Sequence, residues 1–298
     1  MELRHLRYFV TVAEELHFTR AAERLHIGQP PLSQQIQALE EEIGVQLLER
    51  SKRWVRLTPA GKSFLEDARK ILALSEQAPQ TARRASRGEI GELRIGFTPS
   101  TPFTEIFPVV INLFRKQFPQ VTLGLREMPT MRQLAAIEER QLDLGFIRPT
   151  EVDVGKAISL TILSNDPLLL VMPVKHRLAK RISIPFKELA GESFVMYPHH
   201  AGTGLSRQVQ RLCREAGFEP QIVQEAQEAS TIIGLVAAGC GISILPESFR
   251  KIHLNGVAYR PMAGAASSTS LMLAKLADEN TVLTEAFVQL ATAAAGSR

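Results

Sequence analysis

The chain has 298 residues, 45% of them hydrophobic and 22% charged, enough apolar side chain for two or three compact domains and too much for wholesale disorder. No run of 18 apolar residues is present to span a membrane, and the charged start "MELRHLRYFVTVAEE" offers no signal-peptide core, so a cytoplasmic protein is expected. The net charge of +4 divides into +2 over residues 1–90 and +2 over the remainder, so a phosphate-binding surface must come from local clustering.

In chain order, Leu3, Leu6, Phe9, Val10 and Ala13 recur at helical spacing and predict a first amphipathic helix. A second is predicted over 19–25 with Ala21, Ala22 and Leu25 on its packing face, and His26-Ile27-Gly28 forms a short turn. A third runs from about 29 to 42, with Leu32, Ile36 and Leu39 on one face and Ser33, Gln34 and Gln37 on the other. "LLERSKRWVRLT" then reads as two short strands around a basic tip, with Arg50, Lys52, Arg53 and Arg56 inside seven residues. Thr58-Pro59 opens the next helix with a capping hydroxyl and a proline at its first position. Pro79 removes one i→i−4 bond from that helix and clashes with the carbonyl of Ser75, so a kink or break is expected there. "RGEIGE" (87–92) reads as a linker.

Beyond residue 90 the pattern becomes alternating strands and helices, which indicates α/β architecture. Strands are expected at 92–97, 121–127, 142–147, 168–173, 193–197, 221–225, 241–246, 257–260 and 271–275. Helices are expected at 103–118, 131–140, 204–216, 229–238 and 279–293. Two α/β lobes joined by crossovers near 161–166 and 264–270 fit this layout. The expected domains are 1–58, 59–88 and 91–298, the last divided into lobe I (91–162 and 267–298) and lobe II (163–266).

Segment 18–42 has the layout of a helix-turn-helix whose second helix can enter a major groove. Ser33, Gln34 and Gln37 supply both donors and acceptors for base edges. The plain alternative is a small helical packing module with solvated glutamines; the basic hairpin that follows favours DNA, because a wing of arginines suits phosphate and minor-groove contact. The same stretch, "FTRAAERLHIGQPPLSQQIQALEEEIGVQLLERSKRWVRLTPAGKSFL", resembles the N-terminal signature of the LysR-type transcriptional regulators. The downstream blocks "RIGF", "REMPT", "LDLGFIR" and "IIGLVAAGCGISILP" resemble the branch that responds to benzoate, muconate and small carboxylates. The resemblance spans essentially the whole chain. It implies a winged helix-turn-helix, a dimerising linker helix, an effector domain of the periplasmic-binding-protein type, and a homotetramer built as a dimer of dimers. Residue by residue it implies that Gln29, Pro30, Pro31, Ser33, Gln34 and Gln37 face double-stranded DNA carrying an inverted repeat, with Arg53 on the wing. Two positions depart from the family pattern. Gly28 replaces a capping Ser or Thr, and Gln34 replaces an Arg found in many relatives.

Ligands of open α/β sheets bind beyond the carboxyl ends of strands, where helix N-termini converge. Ser100 and Thr101 follow the strand at 92–97, Thr130 follows that at 121–127, and Arg148 ends that at 142–147. His200 and Thr203 lie between a lobe II strand and its helix. Together these groups can satisfy the carboxylate of a small effector; read plainly, the hydroxyls are ordinary helix caps. The resemblance implies ligand contact for Ser100, Thr130 and Arg148.

No cofactor or metal is expected: His199-His200 are neighbours rather than i, i+4 partners, and no phosphate loop or G-x-S-x-G elbow is present. Cys213 and Cys240 read as two buried structural thiols. A DNA-binding regulator controlled by an effector is therefore expected, not an enzyme. A solute-binding protein, the alternative, leaves residues 1–60 unexplained.

Overall fold

The computed structural model describes residues 1–51, 54–149, 154–198, 204–264 and 268–296. Contacts divide the chain into two units, Met1–Ala85 and Ser86–Arg298.

In the first unit α1 (Leu3–Glu15), α2 (Phe18–Leu25) and α3 (Gln29–Ile43) follow the apolar spacing read from the sequence. Each ends in a left-handed residue, Leu16, His26 or Gly44, whose N–H closes the last turn. Leu6, Phe9, Val12, Ala21, Leu32, Ile36 and Leu39 form the core. The strands β1 (Leu48–Arg50) and β2 (Val55–Leu57) pair antiparallel, Leu48 opposite Leu57. Thr58 caps the next helix as expected, its Oγ1 accepting the Gly61 N–H at 2.9 Å. Gly61 is required there by space: a Cβ would overlap the carbonyl of Leu47.

That helix, α4, runs unbroken from Pro59 to Ser86 with Pro79 inside it. The expected break at Pro79 does not occur. Residues 76–83 are all exposed, so the Ser75 carbonyl that loses its partner can be hydrated, and the flanking Ala and Gln residues favour helix.

In the second unit β3 (Gly91–Phe97), β4 (Val121–Glu127) and β5 (Leu144–Ile147) are parallel, with β3 central. The crossovers are α5 (Ile106–Gln117) and α6 (Thr130–Glu138). The helix expected from 103 begins three residues later, after a 3₁₀ turn over Thr101–Phe103. Phe114 and Phe146 pack with Phe287 of α9 (Val282–Gly296), and Phe107 with Phe146, ring centroids 5.2–5.9 Å apart. The crossover expected at 161–166 is instead part of one long strand, β6 (Ile158–Pro173). Its first half pairs with β11 (Ser268–Leu276), and its second half with β9 (Ser243–Pro246) and β10 (Val257–Pro261). One strand thus serves both lobes. The remaining lobe II elements are β7 (Ser193–Met196), α7 (Gly204–Glu215), β8 (Gln221–Glu225) and α8 (Ala229–Ala237). Cys213 is buried in the lobe II core, but Cys240 is exposed, against expectation, because it lies beyond the packed end of α8.

Candidate functional site

Helix α3 presents its polar face outward. Gln29, Pro30, Pro31, Gln34 and Gln37 are exposed and Ser33 is half-buried, while Leu32, Ile36 and Leu39 anchor the opposite side. Gly28 caps it without a side chain. Pro30 and Pro31 carry no N–H, which their place in the first turn tolerates. Contacts from this helix end therefore fall to the side chains rather than to a row of backbone amides.

The hairpin divides its arginines. Arg50 turns toward α3, paired with Glu40, whose Oε1 also accepts the N–H groups of Leu47 and Leu48 at 2.9 Å each. Its guanidinium also lies 5.1 Å from the Phe18 ring centre. Arg50 thus holds the hairpin to α3, a role its place in the basic run did not reveal. Arg56 is exposed, and Lys52 and Arg53 lie outside the described residues.

The second site lies between the lobes of the C-terminal unit. Arg148, leaving β5, is buried; its Nε donates to Ser100 Oγ at 2.8 Å and its Nη2 to Asp166 Oδ2 at 2.7 Å. Its backbone N–H donates to Thr130 Oγ1 at 3.1 Å. Asp166, on β6, accepts the Ser248 N–H through its other oxygen. Burial lowers the Arg148 guanidinium pKa, and the charge of Asp166 acts against that shift.

A cavity of about 50 Å³ is lined by Ser100, Thr130 and Arg148 from lobe I and by Tyr197, Leu205 and Phe249 from lobe II. That is room for only a few waters. Burial holds the Tyr197 phenol far above its usual range, so it faces the cavity as a neutral group. A wider cavity of about 410 Å³ lies on the other side of Asp166, among Thr104, Ser164, Glu247 and Arg250. The converging hydroxyls and guanidinium are at the narrower one.

Ser100, Thr130 and Arg148 are thus brought together as expected. Thr101 is fully buried behind them, its hydroxyl 2.8 Å from that of Thr98, and does not line the cavity. His200 and Thr203 lie outside the described residues. Asp166 and Tyr197 were not anticipated. A lone acid before the apolar run "PLLLVMP" was the one available hint of a buried partner for Arg148. Among the described residues no cluster of His, Cys, Asp or Glu is arranged to hold a metal, and no helix is long and apolar enough to cross a membrane.

A winged helix-turn-helix on one unit and a cavity with a few converging polar groups between two α/β lobes on the other define a DNA-binding, ligand-responsive class of protein. Residues 3–62 match the family "Bacterial regulatory helix-turn-helix protein, lysR family", and residues 86–296 match "LysR substrate binding domain". The chain belongs to the LysR family of transcriptional regulators. It is 49% identical to the uncharacterized HTH-type transcriptional regulator YnfL of Escherichia coli (strain K12), over 88% of each chain. It is 40% identical to the HTH-type transcriptional regulator AlsR of Bacillus subtilis (strain 168), over 97% of this chain and 95% of that one. Among solved structures, full-length CbnR complexed with its target DNA matches with a TM-score of 0.75 and 29% identity, covering 99% of this chain and all of that one.

Proposed function

We propose that this regulator acts in the cytoplasm as a dimer of dimers and binds an inverted-repeat operator, its response set by a small carboxylate held at Arg148. Gln29, Ser33, Gln34 and Gln37 read base edges, Pro30 and Pro31 pack against the groove wall, and Arg53 reaches the backbone from the wing. The observation that carries the ligand reading is the convergence of Ser100, Thr130 and Arg148 on one cavity between two lobes. Ser100 and Thr130 donate hydroxyls to the anion, Tyr197 offers a neutral phenol, and His200 and Thr203 are further candidates for contact with it. The anion competes with Asp166 for the guanidinium, which keeps the empty site neutral.

A thermal-shift screen of small aliphatic and aromatic acids tests this, because a ligand that binds only the folded state raises its melting temperature. A carboxylate is expected to stabilise the wild type and to change its gel shift on promoter DNA. Stabilisation only by neutral or cationic compounds would overturn the carboxylate assignment while leaving the DNA reading intact.

A further inference from the structure

The wing carries an aromatic side chain that the core does not use. Trp54, the single tryptophan of the chain, stands at the start of the returning strand and is 43% exposed. Its neighbours Val55 and Leu57 pack against the helical core, whereas Trp54 does not. Its backbone is nonetheless fixed. The Ser51 N–H donates to the Trp54 carbonyl at 2.9 Å, and the Trp54 N–H donates to Ser51 Oγ at 3.1 Å. The Arg56 guanidinium lies 4.8 Å from the centre of the indole ring. The wing therefore presents a rigid aromatic face with a cation held beside it. Arg50 cannot share that duty, since it is committed to Glu40.

We propose that Trp54 is a DNA-contacting residue, its indole face packed on a deoxyribose at the edge of the groove read by α3, with Arg56 placed on the adjoining phosphate. The chemistry of the pair matches that partner. A nucleic-acid backbone alternates an apolar sugar with an anionic phosphate, and an indole flanked by a guanidinium offers the same alternation. The contact is blind to base identity, so it adds affinity and fixes the register of α3 without adding sequence preference. Ordering costs little, because hydrogen bonds to Ser51 already hold the Trp54 backbone and an indole has only two rotatable bonds.

Because Trp54 is the sole tryptophan, its emission reports the contact directly in the full-length protein. On titration with a duplex of its own promoter region, the emission is expected to change and the indole to become protected from acrylamide quenching. Trp54→Ala should weaken binding about tenfold on every operator variant alike, and Trp54→Phe should recover most of that loss. Arg56→Gln should lower the salt slope of binding by about one. Unchanged emission and unchanged acrylamide quenching at saturating DNA would overturn the proposal, whether or not the alanine variant folds. Equal affinity of a folded Trp54→Ala variant would overturn it as well. A gel shift of the wild type on the same duplex separates this failure from a failure to bind DNA at all.

Discussion

Arg148 and Asp166 form a buried ion pair in which each group needs the other, and that interdependence sets what substitutions there will do. Arg148→Met removes the cation and strands a buried carboxylate that keeps the Ser248 N–H as its hydrogen-bond donor. Breaking such a pair from one side costs about 3–5 kcal/mol, so chemical denaturation should show a clear loss of stability along with lost carboxylate response. Asp166→Asn acts in the opposite sense on binding. The guanidinium keeps a hydrogen-bond acceptor but loses its counter-charge, so the empty protein should melt lower. A carboxylate should then bind roughly ten- to a hundredfold more tightly, as a calorimetric titration would read, since a charged hydrogen bond is worth about 1.5–3 kcal/mol. Equal carboxylate affinity in Asp166→Asn and wild type would place the anion away from this guanidinium. Thr130 shows why its role was readable early: a hydroxyl opening a helix at the end of a strand has few places to point. Asp166 lacked such a cue, because nothing local to "SNDPLLL" says which residue 18 positions away will meet it.

At the scale of elements, α4 is where local propensity and surroundings disagree. Pro79 costs about 3 kcal/mol in a helix interior, yet the helix continues through it. Pro79→Ala should restore the amide that Ser75 lacks and slow hydrogen exchange over residues 76–83. Unchanged exchange there would mean that the proline imposes no local cost. Gly61 is the reverse case. It occupies a helical first turn where alanine would be preferred by propensity, but its Cβ position is taken by the Leu47 carbonyl. Gly61→Ala should therefore destabilise the DNA-binding unit in thermal melts, because backbone cannot yield as a flexible side chain can. Glu14 ties α1 to α2 and α4 through Arg24 and Arg69. The hydrogen bond from Arg69 lowers the Glu14 pKa below its ordinary 4.5, with Arg24 acting in the same direction. Its contribution to stability is present above pH 4.5 and is lost as pH falls through the lowered value. Glu14→Gln should flatten that acidic part of the stability profile.

Over the whole molecule, the C-terminal unit depends on one long strand that belongs to both lobes. The sixteen residues of β6 pair with β11 in lobe I and with β9 and β10 in lobe II, so the hinge is a sheet rather than a pair of loops. The two thiols offer a readout of how lobe II opens. Cys213 lies in its core, where burial pushes the thiol up to about 12, while Cys240 is exposed. A thiol reagent at pH 8 should label one cysteine quickly and the other only on opening of lobe II, and a carboxylate that binds the folded unit should slow the second event. Fast labelling of both would contradict the packing of α7. The raised value of Cys213 also has a sign: its stabilising effect is complete below pH 9 and fades as pH rises toward 12.

What sequence alone determined was everything carried by period and by local stereochemistry. Leu32, Ile36 and Leu39 must share a helix face, Thr58 must cap the helix behind it, and "VTLGLRE" must be a strand, because those patterns reward one backbone conformation within a few residues. Strand ends in an open α/β sheet pointed to Ser100, Thr101, Thr130 and Arg148 together, and the family resemblance narrowed them to Ser100, Thr130 and Arg148. The tertiary structure decided the rest. Arg50 turned from the presumed phosphate contacts to Glu40, Pro79 was tolerated in a solvated stretch, and residues 161–166 became strand because β11 lies alongside to pair with them. Each of those outcomes depends on a partner distant in sequence or on access to water. Charge pairing, burial and sheet hydrogen bonding are settled only when the chain has closed on itself.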